Sequence, residues 1–318
     1  MKFLIKVLGA VALAYLLAFG MAVPMNPETK FWRGLSQRRD REISETRLAQ
    51  PGKPMIFFAG GSSCAFSIDP AIIEKKCGMP AFNVGFPIAC GAKFILHQAL
   101  EKTRPGDVLV VALEPDTITY ASDFAPGTLS FGLSALDGSP SASVGGSTFG
   151  HGLPIRDYLN LSRPGPGYMA TWLGKSVGGK SYRYQDRDIR YHGRVETPVK
   201  MDPPDISGTK MMHEVHKDGR QVLETFAAAA KAKDVRLVYS MPWILISEAA
   251  AAPSRENNLR ILQSVAQTIP SIDDGHQGVA TDPDCFADTG LHLSAKGSKI
   301  RSTDLGTALQ DWLAKNPR

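Results

Sequence analysis

The stretch Met55-Ile56-Phe57-Phe58-Ala59-Gly60-Gly61-Ser62-Ser63 decides the fold class. An unbroken apolar run at 55–58, set between Pro54 and a glycine pair, is the pattern of a strand buried on both faces; a half-exposed strand would alternate with polar residues. The fold is therefore expected to begin near Pro54. Asp69-Pro70 then supplies an N-cap and a first-turn proline for a helix over 71–76, and Gly78 can stop it. The same alternation recurs outward along the chain. Residues 81–85 and 107–114 (DVLVVALE) read as strands and 92–104 as the helix between them; 235–241 (VRLVYSM) reads as a strand flanked by helices over 214–233 and 254–267, with a terminal helix over 296–313. Strands separated by helices predict an α/β fold, a three-layer α/β/α sandwich on a mostly parallel, flavodoxin-like sheet.

Composition agrees with one large core. Of 318 residues 43% are hydrophobic and 21% charged, which excludes intrinsic disorder, and a net charge of +5 is too mild to point to nucleic acid. The 4 cysteines lack the paired spacing of a zinc site. Cys77 and Cys90 are candidates for a disulfide in an oxidising compartment, and Cys64 is read as a small buried hydrophobe.

At the N-terminus, Lys2 and Lys6 precede a charge-free run over 7–23, long enough for either a membrane anchor or a signal peptide. Residues 1–25 are expected to anchor the chain in the inner membrane, with the domain in the periplasm or outside the cell. The alternative is secretion after cleavage near Ala18–Gly20 or Gly20–Ala22. Lys30, Arg33, Arg38, Arg39 and Arg41 follow the run and oppose export on a simple positive-inside count, although long domains translocate despite such charge. Residues 26–53 are polar and charge-mixed and read as a juxtamembrane linker, the stretch 36–47 within them as a solvated helix or linker, and 54–318 as the α/β domain. Between about 115 and 212 the pattern breaks into Gly-, Ser- and Pro-rich sequence, too long for bare loop and read as an inserted lid or substrate module.

Two loops carry the candidate chemistry. Gly60-Gly61-Ser62-Ser63 lies at the carboxyl end of the first strand, the edge where open parallel sheets place ligands. Asp288 and His292 lie just before the last helix, at the same edge. A serine hydroxyl is a weak nucleophile until a base takes its proton, and an imidazole oriented by a carboxylate is such a base. Elsewhere, His213-Glu214-Val215-His216 lacks metalloprotease spacing and reads as a solvated helix start. The tyrosines and arginines of 182–194 either stack on sugars and anionic polymer or form an ordinary surface strand.

On these residues the chain resembles the SGNH, or GDSL-like, hydrolase superfamily. Gly61-Ser62-Ser63 corresponds to its first block, Asn83-Val84-Gly85 to its second, and Asp288 to His292 to its last. The text GGSSCAFSIDP and FADTGLHLSAKG looks most like the membrane-anchored bacterial branch that includes alginate O-acetyltransferases and esterase-like proteins of teichoic-acid D-alanylation. The resemblance implies Ser63 as nucleophile, His292 as general base and acid, Asp288 as orienter of the imidazole, and the backbone N–H groups of Ser63 and Gly85 as oxyanion donors. It implies no metal and no organic cofactor. Leu113-Glu114-Pro115-Asp116 stands where the family carries an oxyanion asparagine, and Asp288 and His292 have three residues between them where the family has two. The implied activity is that of a serine esterase or O-acyltransferase acting on an acylated carbohydrate or polysaccharide beside a membrane-bound O-acyltransferase. The alternative is a noncatalytic glycan-binding or scaffold protein of the same kind of complex.

Overall fold

A computed structural model describes residues 2–25, 27–119, 183–200, 215 and 217–317. In chain order the helices are α1 (Lys2–Met25), α2 (Pro27–Ala49), α3 (Ser62–Ser67), α4 (Pro70–Cys77), α5 (Ala92–Lys102), α6 (Pro115–Thr119), α7 (Lys217–Ala232), α8 (Glu248–Ala266) and α9 (Ala295–Lys315). The strands are β1 (Ile56–Gly60), β2 (Ala81–Asn83), β3 (Val108–Ala112), β4 (Arg236–Ser240), β5 (Ile244–Leu245), β6 (Ser271–Ile272) and β7 (Val279–Ala280).

The chain divides into two compact units. The first comprises Met1–Gln37 and Phe124–Asp186. Within it α1 is helical through the whole charge-free run, and the Phe31 ring meets Trp32 edge-on and Tyr184 at a tilt, at centroid distances of 5.4 and 5.8 Å. Among the described residues no helix is long and apolar enough to cross a membrane, and the side chains of 15 and 18–26 fall outside that set. The anchor expected over 1–25 thus lies partly outside the described residues. So does most of the insertion, including Tyr182, and so do His213, Glu214 and His216 of the expected helix start.

The second unit, Arg38–Asp123 and Arg187–Arg318, is the α/β body. Its central sheet runs β2-β1-β3-β4-β6, every pair parallel, which is the three-layer sandwich expected from the alternation of apolar runs and helices. One face is covered by α4 and α9, where Ile73, Leu305 and Leu309 pack on Ile56, Phe58, Val110 and Val238. The opposite face is covered by α5 and α7. Burying a side chain such as Phe58 or Leu305, both fully enclosed, is worth about 1.5–3 kcal/mol relative to leaving it in water. Strand order reverses between β1 and β3, so the loops after them leave in opposite directions and open a crevice at the carboxyl edge.

Of the two readings of the 26–53 segment, solvated helix or linker, the helix is what forms over most of it, with Pro27 at its start, Glu28 in its first turn and Arg47 in its last, each favourable at that end. From Arg38 onward α2 belongs to the body. Arg47 pairs with the buried Asp107 carboxylate, which also accepts from the backbone N–H groups of Met55 (2.8 Å) and Arg104 (2.7 Å). All four cysteines are free, so Cys77 and Cys90 form no disulfide.

Candidate active site

β1 ends against β3 so closely that Gly60 and Gly61 leave no space for side chains: a Cβ on Gly60 would lie 2.0 Å from the Ala112 carbonyl oxygen. The chain turns there directly into α3, whose first residue is Ser62. Successive helical residues point about 100° apart, so the two serines of this turn face different surroundings. Ser62 is partly exposed and its Oγ lies 2.9 Å from His292 Nε2. Ser63 is fully buried, and its hydroxyl sits beside the Glu114 carboxyl without well-formed hydrogen-bond geometry. The serine brought to the imidazole is therefore Ser62, not the expected Ser63.

His292 Nδ1 lies 2.9 Å from Asp288 Oδ1, and the Asp288 side chain is wholly buried. The three-residue spacing is absorbed by a tight loop. Ala287 N–H donates to the His292 carbonyl (2.8 Å), Phe286 bridges Leu293, and Thr289 Oγ1 accepts from the N–H groups of Leu291 and His292 (3.2 and 3.1 Å). Asp288 and His292 then face each other from the two sides of the loop. The imidazole plane is fixed by Phe66, one helical turn after Ser62, which stacks on it at 4.1 Å and 9°. With an ionised Asp288, Nδ1 carries the proton and donates to the carboxylate, and Nε2 is left to accept the Ser62 hydroxyl proton. That relay is what general-base activation of a serine requires.

The two expected oxyanion donors are both engaged. Gly85 N–H donates to Asn83 Oδ1 (3.0 Å), and Ser63 N–H to Glu114 Oε1 (3.3 Å). Gly85 is instead a close-approach residue, because a Cβ there would lie 2.6 Å from the Ala65 nitrogen. Asn83 braces α3 from beneath, donating through Nδ2 to the carbonyls of Cys64 (2.8 Å) and Ile68 (3.0 Å). Cys64 is buried and its thiol is pushed up to about 12 by desolvation, so it is no thiolate nucleophile.

Behind this loop, Arg39 donates to the carbonyls of Gly85 (2.7 Å) and Gly193 (2.6 Å) from a fully buried position, and desolvation lowers its affinity for the proton. The segment over 187–197 is held against the body. Val195 N–H donates to the Ala65 carbonyl (2.9 Å), Arg194 pairs with Asp69 (2.7 Å) and Glu196, and the His192 ring stacks between Phe82 (4.1 Å) and Tyr191 (3.7 Å). Arg190 also pairs with Glu196 (3.3 Å). Arg190 and Arg194 of the tyrosine–arginine stretch thus meet carboxylates of their own chain. A cavity of about 370 Å³, within the usual range for small-molecule sites, lies between this segment and the Asp288 loop, lined by Arg187, Lys200, Phe286, Ala287 and Ser294 among others.

Sequence reasoning missed Phe66 and the bracing role of Asn83. The four-residue spacing of Ser62 and Phe66 was the available signal for the first. Among the described residues no cluster of three His, Cys, Asp or Glu side chains is arranged to hold a metal ion. No protein-family model matches the chain, and no curated protein matches it.

Proposed function

We propose that the chain is a serine-dependent acyl esterase or O-acyltransferase of SGNH type, with Ser62 as nucleophile, His292 as general base and then general acid, and Asp288 as the group that orients the imidazole. The observation that carries this reading is the continuous relay Ser62 Oγ–His292–Asp288, with both links at 2.9 Å. Ser62 Oγ attacks the acyl carbonyl as its proton passes to Nε2; collapse of the tetrahedral adduct expels the alkoxide, which takes that proton and leaves as an alcohol. The acyl-serine is then attacked by water or by a sugar hydroxyl, giving esterase or transferase. The backbone N–H of Ser62 is the donor of this turn left to face the developing oxyanion.

On the resemblance of the two loops we propose an envelope or extracellular polysaccharide as the carrier of the acyl group, a membrane-bound O-acyltransferase as partner and the charge-free run of α1 as anchor. The cavity beside the Asp288 loop is where we place the acceptor. A second reading, a noncatalytic glycan-binding scaffold, is favoured by the engagement of the Gly85 and Ser63 N–H groups within the chain. Intact-mass analysis of the full chain after p-nitrophenyl acetate separates the two. Acetylation confined to the peptide containing Ser62 supports the enzyme; folded protein that takes up no acetyl and binds glycan supports the scaffold.

A further inference from the structure

Glu114 follows β3, directly across from the turn that carries Ser62. Its side chain is buried, and its two carboxyl oxygens accept from two different amides: Oε2 from Gly61 N–H (3.2 Å) and Oε1 from Ser63 N–H (3.3 Å). These are the residues immediately before and after Ser62. The carboxyl lies so close over Gly61 that a Cβ there would come within 2.2 Å of Oε1. The glycine is thus the hollow in which the carboxyl sits. The Ser63 link holds the peptide plane that follows the Ser62 Cα and the Gly61 link holds the chain entering the turn, so together they restrain the direction of the Ser62 Cα–Cβ bond toward His292. Neither oxygen reaches the reacting hydroxyl, which hydrogen-bonds the imidazole instead.

We infer that Glu114 is the positioning residue of the Ser62 turn, holding the nucleophile on the imidazole by a two-amide grip from the neighbouring strand. The inference rests on the serine-enzyme reading above. The grip needs one acceptor oxygen per amide. In Glu114→Gln the amide NH₂ must face one of the two N–H groups, so one link is lost at nearly unchanged volume. In Glu114→Asp the charge is kept but the side chain is one methylene shorter, too short to span both amides from the same backbone. A purely packing role would tolerate the first and a purely electrostatic role the second.

The test compares detergent-solubilised full-length wild type, Glu114→Gln, Glu114→Asp and Ser62→Ala in p-nitrophenyl acetate turnover and in the rate of fluorophosphonate labelling. A misplacement of the attacking oxygen by a fraction of an ångström to an ångström costs up to about 100-fold. The expected result is a fall in kcat of about 10- to 100-fold in both Glu114 variants, with KM changed by less than about threefold and the labelling rate falling in parallel. Wild-type kcat and labelling in either folded variant would overturn the inference while leaving the serine enzyme standing. So would a rise in KM at constant kcat. Folded wild type that neither labels nor turns over would overturn the serine-enzyme reading and the inference together.

Discussion

Exchanging the two adjacent serines for alanine, one at a time, gives opposite results if Ser62 is the nucleophile. Ser62→Ala removes the oxygen that lies 2.9 Å from His292 Nε2, while the imidazole keeps its bond to Asp288 and its stack on Phe66. Nothing else in the relay is disturbed, so the loss is that of a triad without its nucleophile: roughly 10⁶-fold in kcat, or about 8 kcal/mol at 1.36 kcal/mol per tenfold. Ser63→Ala removes a hydroxyl that is fully buried and lacks a well-formed hydrogen bond. The stability change is then within about 1 kcal/mol, because the Glu114 carboxyl beside the lost hydroxyl keeps its two backbone N–H donors. The main-chain N–H of residue 63 still reaches Glu114, so turnover is expected within about threefold of wild type. The assay is p-nitrophenyl acetate turnover with fluorophosphonate labelling, on variants shown to be folded by circular dichroism. The reasoning is refuted if Ser63→Ala abolishes labelling and Ser62→Ala retains it.

Two further outcomes follow from the same geometry. Asp288→Asn keeps the shape of the loop but presents an amide to the imidazole, stabilising the wrong tautomer; kcat is expected to fall by about 10³–10⁴ with little change in KM, as read by steady-state kinetics. Glu114, buried beside β1, has its carboxyl raised above the ordinary 4.5 by desolvation, the hydrogen bonds from Ser63 and Gly61 opposing that only in part. An acid whose folded pKa is raised holds its proton more tightly when folded, so its favourable contribution is complete below the unfolded value and fades as pH rises through the folded one. The Tm of wild type relative to Glu114→Gln should therefore decline from about pH 4.5 upward, and a gap that widens with pH would contradict the assignment.

The centre of the sheet was legible because β1 and β3 are buried on both faces and so appear as unbroken apolar runs, of which 108–113 is the clearest. β5, β6 and β7 were not, since segments of two residues have no period to detect. α8 begins at Glu248, ahead of Pro253, whereas a proline inside a helical pattern argues for a later start. Of the site, the serine turn after the first strand and the Asp–His loop before the last helix were expected at one edge of the sheet from their places in the chain. Which serine meets the imidazole did not, because the choice depends on whether helix α3 begins at residue 62 or 63, a shift of one residue that swings the side chain by about 100°. Gly85 matched a sequence pattern for an oxyanion donor, yet its N–H is captured by Asn83 two residues earlier, a local hydrogen bond that sequence does not rank against the functional one. Residues 36–47 read as a solvated helix or linker because they are polar and charge-mixed; only the three-dimensional structure shows Arg39 and Arg47 turned inward.

That inward turn bears on how portable the domain is. Gly85 and Gly193 each present a carbonyl to the Arg39 guanidinium, and Asp107 presents its carboxylate to Arg47. A protein trimmed to start at Pro54, where the apolar pattern begins, would leave two buried carbonyls and a buried acid facing no cation. The helix leading into the body is thus not a tether that another sequence can replace. Its last three turns are the missing side of the loop behind the nucleophile, and a fusion or surface display that substitutes a generic spacer before residue 50 would carry the sheet intact and the reactive turn unsupported.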